Sequence, residues 1–323
     1  MKAIGGYFEL ADYEEGGLFP HQDGVLLNTG RNALEYILRS IGEVKHLYLP
    51  YYTCEAVLEP IEKLHIPYTY YHINQQFEIV DDIQPKQDEY IIANNYFGIK
   101  DAYIQKLADK YGDKLIVDCA QAFFAKPLPG INAFYSTRKY VGVADGGVAY
   151  LGNLPDDKVE VNETERSNEH DSHLLKRKQF GAEVGFADYQ ANEKKLDNQP
   201  IRLMSVYTKR ILGHIDYNKV IVRRRKNFQY LQEALSTMNK LQLQALDTFV
   251  CPMVFPFMMD TERNLRKELI ENKVFVASYW SNVKEWCNQK EWEYTLVENA
   301  VFIPIDQRYG KEDMQRIIEI ITK

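Results

Sequence analysis

The chain has 323 residues, of which 45% are hydrophobic and 26% charged, a balance typical of a globular protein with a substantial core. A formal net charge of −7 disfavours nucleic acid or an anionic membrane surface as a partner. We expect no signal peptide, and no apolar run is long enough to cross a bilayer. The four cysteines lack metal-ligand spacing, so we expect a reduced, cytoplasmic protein without a metal.

The run NTGRN, at residues 28–32, predicts an anion site. An apolar pair precedes it, and a helical pattern of apolar residues follows it. A Thr-Gly turn that opens a helix exposes backbone N–H groups and the positive end of the helix dipole. Thr29 and Gly30 would form this turn, and Arg31 would add a bidentate contact to a phosphate. The alternative is that Thr29 is an ordinary helix N-cap.

Strands and helices alternate through the first part of the chain. Apolar or β-branched runs at residues 47–49, 68–73, 90–95 and 115–117 predict strands, and residues 101–111 predict a helix. This alternation is typical of βαβ units, so it predicts a mainly parallel sheet.

Residues 115–150 carry the strongest chemical signal. The first apolar run stops at Asp118, and in open α/β sheets ligands bind at such strand ends. A second run, at residues 131–135, leads to Ser136 and Lys139. This pattern suits pyridoxal phosphate (PLP), because a lysine amine holds the aldehyde and a carboxylate keeps the pyridine nitrogen protonated. Taken singly, Asp118 could be a turn residue and Lys139 a surface lysine.

The order Asp118-x-x-Gln121, then Ser136-x-x-Lys139, then Asp-Gly-Gly resembles the core of the DegT/StrS-type sugar aminotransferases, which are fold type I PLP enzymes. The resemblance implies that Asp118 pairs with the pyridinium, that Gln121 contacts the ring hydroxyl and that Lys139 forms the Schiff base. The family usually has a phosphate-binding serine five residues before the lysine. That position is Phe134 here, so we assign the phosphate contact to Ser136.

The same resemblance implies further cofactor contacts. The turn at residues 29–31 matches the family's phosphate turn. Cys54 stands where the family places an aromatic ring on the cofactor face, and Tyr52 is the nearest substitute. Asn95 falls where the family usually has a histidine near the cofactor.

The resemblance also implies the architecture. We expect a three-layer α/β sandwich of fold type I over residues 19–215, a smaller α+β domain over residues 216–323 and an N-terminal arm over residues 1–18. We also expect a homodimer. The polar residues 153–199 show no clear period and predict a solvated loop. The basic run at residues 223–226 lies in a helical pattern and predicts a solvated face.

We therefore predict a PLP-dependent aminotransferase that acts on a nucleotide-linked keto sugar in polysaccharide biosynthesis, with glutamate or glutamine as amino donor. Lys139 would also be the base that moves the proton, and Arg138 would bind phosphate or a substrate anion. Two alternatives stay open: a PLP enzyme of another reaction type, such as an elimination or dehydration, and a non-catalytic protein that keeps the fold. The sugar, the carbon that is aminated and the nucleotide also stay open.

Overall fold

The computed structural model describes residues 2–14, 17–153 and 159–323. The strands are β1 (Ile4–Gly5), β2 (Val25–Leu27), β3 (His46–Pro50), β4 (Tyr68–Tyr71), β5 (Glu89–Asn94), β6 (Leu115–Cys119), β7 (Asn132–Ser136), β8 (Gly147–Tyr150), β9 (Val254–Phe257), β10 (Val274–Phe275) and β11 (Val301–Pro304). The α-helices are α1 (Gly30–Ile41), α2 (Leu58–Lys63), α3 (Asp101–Tyr111), α4 (Ser172–Phe180), α5 (Phe186–Lys195), α6 (Val206–Leu212), α7 (Tyr217–Leu235), α8 (Leu265–Glu271), α9 (Val283–Trp286), α10 (Trp292–Asn299) and α11 (Lys311–Ile321). Among these described residues, no helix is both long and apolar enough to span a membrane.

A seven-stranded sheet forms the centre of the molecule, with the strand order β2-β8-β7-β6-β5-β3-β4. Neighbouring strands from β7 to β4 are parallel, whereas β8 runs antiparallel to both β2 and β7. Helix α2 lies between β3 and β4 and α3 lies between β5 and β6, as the alternation of strand and helix patterns predicts, whereas β4 is joined to β5 and β6 to β7 without an α-helix. The predicted α/β fold with a mainly parallel sheet is therefore confirmed.

Both faces of this sheet are covered, because successive side chains of a strand point to opposite faces. Ile92 and Ile116 pack on the side that holds α1 and α2. Ile91 and Val117 pack on the other side, against residues of α3 such as Leu107. The helix–sheet–helix order gives three layers.

The C-terminal part of the chain forms its own cluster of buried side chains, among them Phe228, Phe255 and Ile303. Strands β9 and β11 pair antiparallel there. The N-terminal arm joins this cluster rather than lying loosely over it, since β1 pairs parallel with β10 and Ile4 is buried.

Residues 153–199 are not simply a solvated loop, because α4 and α5 lie within them. Few residues of either helix are buried: His173, Leu174 and Arg177 in α4, and Asn192 in α5. Three of these four side chains are polar. The apolar period that marks an amphipathic helix is therefore missing from the sequence.

Candidate active site

Asp118 and Lys139 come from neighbouring strand ends. Asp118 lies in β6, where it is 8% exposed, and its register partner in β7 is Phe134. Lys139 lies in the turn after β7 and lines a cavity. Burial raises the pKa of Asp118, and the nearby Lys139 cation and the Ala120 N–H act in the opposite direction. A buried carboxylate therefore lies close to a cavity-lining amine.

The cavity has a volume of about 850 Å³ and lies between the sheet and the C-terminal part of the chain. Cys54, Ser136 and Lys139 line it on the sheet side. The opposite wall comes from the N-terminal arm, from α4 and α5 and from the C-terminal part. This wall includes Gly5, Gly6, Tyr7, Phe8, His173, Arg177, Tyr189, Glu193, Arg224, Met253, Tyr279 and Phe302.

The amino end of α1 lies beside Ser136. The Thr29 hydroxyl accepts a hydrogen bond from the Asn32 N–H at 3.0 Å, so Thr29 is the N-cap. A Cβ added at Gly30 would lie 3.7 Å from the Ser136 Cβ. A helix N-terminus next to a hydroxyl suits an anion such as a phosphate. Arg31 differs, because it already pairs with Asp197 at 3.0 Å and Glu59 at 3.4 Å.

The two glycines after Asp145 hold this turn against the sheet. Gly146 has φ +133°, and a Cβ there would lie 2.1 Å from the Thr137 Oγ1. A Cβ at Gly147 would lie 2.1 Å from the Thr29 carbonyl oxygen. Only glycine fits at either position without a shift of the backbone or the neighbouring side chain, so the predicted Asp-Gly-Gly motif positions the α1 N-terminus.

Asp145 itself is a buried anchor. Its carboxylate accepts hydrogen bonds from the Ser205 N–H at 2.8 Å, from the Ser205 hydroxyl at 2.7 Å and from the Ser167 hydroxyl at 2.7 Å. It also accepts one from the Thr208 hydroxyl. These bonds tie the segment after Lys139 to the start of α6.

Gln121 offers an unused donor close to Asp118. Its Oε1 accepts the Phe97 N–H at 3.3 Å, while its Nε2 has no partner among the described residues although it is buried. One Asp118 oxygen accepts the Ala120 N–H at 2.8 Å. A buried carboxylate, a lysine, a free amide donor and a helix N-terminus together match the donors and acceptors of PLP.

Two residues predicted to contact the cofactor, Asn95 and Tyr52, do not line the cavity. The Asn95 amide donates to the Asp101 Oδ1 at 2.6 Å and its oxygen accepts the Lys100 N–H, so the side chain faces the start of α3. Asn94 is the register partner of Asp118 and shares its face, and its Oδ1 is buried without a partner in the described part of the chain. The side chain that shares the face of Asp118 is therefore Asn94, one position before the predicted Asn95.

Tyr52 is fully buried in the core, 5.2 Å from the ring of Trp280, and is not part of the cavity wall. Cys54 lines the cavity instead. Burial raises the pKa of the Cys54 thiol, although Lys139 acts against this, so the thiol stays protonated at neutral pH. No aromatic side chain of the segment at residues 51–54 lines the cavity.

The aromatic and charged wall opposite the sheet was not predicted. The rings of Tyr7 and Tyr189 stack with centroids 4.9 Å apart, and Arg138 forms an ion pair with Glu193. Tyr189 and Glu193 are four residues apart on α5, so they share one helix face. That spacing is the one signal in the sequence that could have indicated a functional helix here.

Neither a protein-family model nor a curated protein matches the sequence. Solved structures do match in fold. Helicobacter pylori PseC, an aminotransferase involved in the biosynthesis of pseudoaminic acid, is 10% identical over 99% of this chain and 98% of its own, with a TM-score of 0.67. The aminotransferase TlmJ from Streptoalloteichus hindustanus is 12% identical over 99% and 98%, with a TM-score of 0.66.

DesV from S. venezuelae, solved in complex with a ketimine intermediate, is 14% identical over 92% of this chain and 83% of its own, with a TM-score of 0.64. At such low identity the likeness concerns the arrangement of the backbone. The chain therefore has the fold of these aminotransferases.

Proposed function

We propose that this protein is a PLP-dependent aminotransferase that acts on a nucleotide-linked keto sugar in polysaccharide biosynthesis. The observation that carries the proposal is the juxtaposition of the buried Asp118 with the cavity-lining Lys139 at neighbouring strand ends. Structures with the same fold are named as aminotransferases, and one of them is involved in the biosynthesis of pseudoaminic acid. Fold alone does not fix function, so the side chains of the site carry the argument.

The residues present fit the cofactor. Lys139 would hold its aldehyde, Asp118 would face its ring nitrogen, and the free Gln121 amide would donate to its ring oxygen. Ser136 and the α1 N-terminus would hold its phosphate. When bound, PLP supplies an electron sink for the carbon next to the substrate nitrogen.

The chain's own groups then have distinct tasks. The Lys139 amine takes and returns the proton of the reacting carbon. Burial raises the pKa of Asp118, so a protonated ring nitrogen beside it would stabilise its ionised form. The stacked Tyr7 and Tyr189 rings offer an apolar surface at the edge of the cavity for a sugar ring.

The remaining features belong to the same proposal. The amino donor is glutamate or glutamine, and the enzyme is a cytoplasmic homodimer. Its large PLP-binding domain covers residues 19–215, and its smaller domain covers residues 216–323. The segment at residues 202–205 runs directly into α6, whose exposed Val206 and Tyr207 suit a subunit contact.

The test begins with the absorption spectrum of the purified protein after addition of PLP, followed by borohydride reduction and peptide mapping. We expect a visible band, and we expect the reduced cofactor on Lys139. Lys139→Ala should lose both, whereas Lys106→Ala, an exposed lysine of α3, should keep them. Labelling of another lysine, or no labelling, would contradict the assignment.

L-glutamate then separates the reaction types. An aminotransferase loses the visible band of the lysine-linked cofactor when it takes the amino group from glutamate. An enzyme of elimination or dehydration keeps that band with glutamate, as does a non-catalytic relative that still binds PLP. Persistence of the band with both L-glutamate and L-glutamine would therefore contradict the aminotransferase proposal.

A further inference from the structure

Helix α5 presents an aromatic ring and a carboxylate to the cavity. Tyr189 and Glu193 both line the cavity, and their spacing of four residues places them on one face of the helix. The buried Asn192 side chain fixes this helix against α4, because its Nδ2 donates to the His170 carbonyl oxygen at 3.1 Å and to the Ser172 Oγ at 3.0 Å. The ring and the carboxylate therefore have a defined position on the cavity wall.

Only one oxygen of the Glu193 carboxylate is bound within the described part of the chain. Its Oε1 accepts a hydrogen bond from the Arg138 Nη2, whereas its Oε2 accepts none from any residue that the structure describes. This second oxygen is not a buried atom, and the Glu193 side chain is 36% exposed. Burial acts to raise the pKa of Glu193, but Arg138 overcomes it, so the pKa lies below its ordinary value. Glu193 is therefore an ionised carboxylate with one oxygen accessible to a ligand.

Arg138 connects this carboxylate to the reacting end of the cavity. It directly precedes Lys139 in the chain, and both residues line the cavity together with Ser136. A sugar whose carbonyl carbon reaches the Lys139 amine would therefore lie beside the guanidinium to which Glu193 is bound.

The charges around Glu193 limit what its second oxygen can bind. Arg138 is already paired, and Arg31 pairs with Asp197 at 3.0 Å. Burial and the Arg138 charge lower the pKa of His173 to about 4, so this cavity-lining imidazole is neutral at pH 7. An ionised carboxylate only accepts hydrogen bonds, and it repels other anions. The hydroxyl groups of a keto sugar suit this oxygen, whereas the carboxylates of glutamate do not.

We infer that Glu193 accepts a hydrogen bond from a hydroxyl group of the keto sugar and distinguishes this substrate from the anionic amino donor. The inference rests on the proposed function, since an aminotransferase of this kind binds an uncharged sugar and an amino acid in one cavity in turn. Tyr189 would pack on the sugar ring one helical turn away. Arg138 is a positioning residue, because it holds the carboxylate through the other oxygen.

The test compares two probes by calorimetry on the PLP-loaded protein: uridine diphosphate glucose and uridine diphosphate, which lacks the sugar. Glu193→Gln keeps the shape of the side chain but removes its charge. It should weaken binding of the sugar nucleotide by about 10-fold, the effect of losing a hydrogen bond to a charged group, and leave binding of uridine diphosphate unchanged. The half-saturating concentration of L-glutamate, measured from the visible band in single turnovers, should stay the same or fall because a like charge is gone.

Asp188→Asn is the matched control. It removes a carboxylate from the same helix, where Asp188 pairs with Lys176 at 2.7 Å outside the cavity wall, and it should leave all three quantities unchanged. Glu193→Gln leaves Arg138 without its partner. If that variant does not fold, the double variant Arg138→Gln/Glu193→Gln removes both charges together and should show the same loss in calorimetry.

Three results would overturn the inference. The first is wild-type binding of uridine diphosphate glucose that is no tighter than that of uridine diphosphate. The second is unchanged binding of the sugar nucleotide in the variant. The third is an equal loss for both probes or a higher half-saturating concentration of L-glutamate in Glu193→Gln, since a general disturbance of the wall would then explain the effect. A wild type that prefers the sugar nucleotide but reacts with neither L-glutamate nor L-glutamine would contradict the proposed function and leave the sugar contact standing.

Discussion

The two walls of the cavity are held in place by different forces. On the sheet side, β6, β7 and β8 are joined by backbone hydrogen bonds, and Gly147 lies directly against the Thr29 carbonyl. On the opposite side, the short β1–β10 pairing is supplemented by ion pairs and stacked rings, including Glu9 with both Arg177 and Arg308 and Tyr7 with Tyr189. Backbone pairing responds little to salt, whereas partly exposed ion pairs are screened. We therefore expect the geometry of the sheet side to be insensitive to salt, and the geometry of the other side to depend on the charges of its ion pairs.

The largest expected effect is that of Asp118→Asn, on the sheet side. We expect activity to fall by at least about 100-fold, since the amide cannot stabilise the charge that develops during the reaction. The same change should raise the thermal midpoint of the cofactor-free protein at pH 7, as measured by circular dichroism. The reason is that burial raises the pKa of Asp118, with Lys139 opposing only in part.

The pH dependence of this effect follows from the sign of the shift. A carboxyl whose pKa is raised by folding binds its proton more tightly in the folded state, so its ionised form destabilises the protein above that pKa. The advantage of Asp118→Asn should thus be absent below about pH 4, the ordinary pKa of the carboxyl, and should grow as the pH rises above it. Asp113→Asn, an exposed site, is the control. A lower thermal midpoint of Asp118→Asn at pH 7 would mean that the carboxylate is already compensated.

A smaller but clear effect is expected for Gly147→Ala. The added Cβ would lie 2.1 Å from the Thr29 carbonyl oxygen, so the α1 N-terminus must shift. We expect a loss of about 1–3 kcal/mol in the free energy of unfolding and a weaker affinity for PLP, measured by urea titration and cofactor titration. Gly213→Ala, where the nearest atom would lie at 3.5 Å, should change neither. Normal cofactor affinity in Gly147→Ala would show that this contact does not position the phosphate site.

The smallest effect is expected for Glu9→Gln, on the opposite wall. The Glu9 Oε2 accepts from the Arg177 Nε and the Arg308 Nη1, both at 3.0 Å. Loss of its charge should raise KM about three- to tenfold with little change in kcat, and should make KM less sensitive to salt. Glu14→Gln, which removes an exposed pair with Lys219, should leave KM unchanged.

The sign of the pH effect is opposite to that of Asp118. Burial acts to raise the pKa of Glu9, but Arg308 and Arg177 overcome it, so the pKa lies below its ordinary value. The contribution of Glu9 is therefore present at neutral pH and is lost as the pH falls below about 4. A KM difference between wild type and Glu9→Gln that does not shrink as the pH falls below about 4 would contradict an ionic origin.

Much of the sheet side could be predicted because its signals are local. Helix α3 and strand β6 each lie in one apolar pattern, and Asp118 and Lys139 are only 21 positions apart in the chain. The opposite wall depends on segments that are distant in sequence, and α4 and α5 bury too few side chains to show a period.

The buried position of Arg224 was not predicted from the sequence. The basic run at residues 223–226 was predicted to be a solvated face, yet Arg224 is four residues from both Val220 and Phe228, and all three are buried on one side of α7. The spacing of these apolar neighbours indicates a buried helix face at Arg224. The prediction of a solvated face relied instead on the charge of the run. Asn95 and Tyr52 failed for a related reason, because a one-residue change in a strand or turn reverses the direction of a side chain.

The pairing of β1 with β10 has a consequence for the order of events during synthesis. Residue 4 pairs with residue 274, so one wall of the cavity joins two segments that are 270 positions apart in the sequence. While the ribosome adds the intervening residues, the sheet can assemble, but the arm has nothing to pair with. This wall of the cavity therefore cannot form before residues 274–275 have been made, so the site stays open on one side while the sheet assembles.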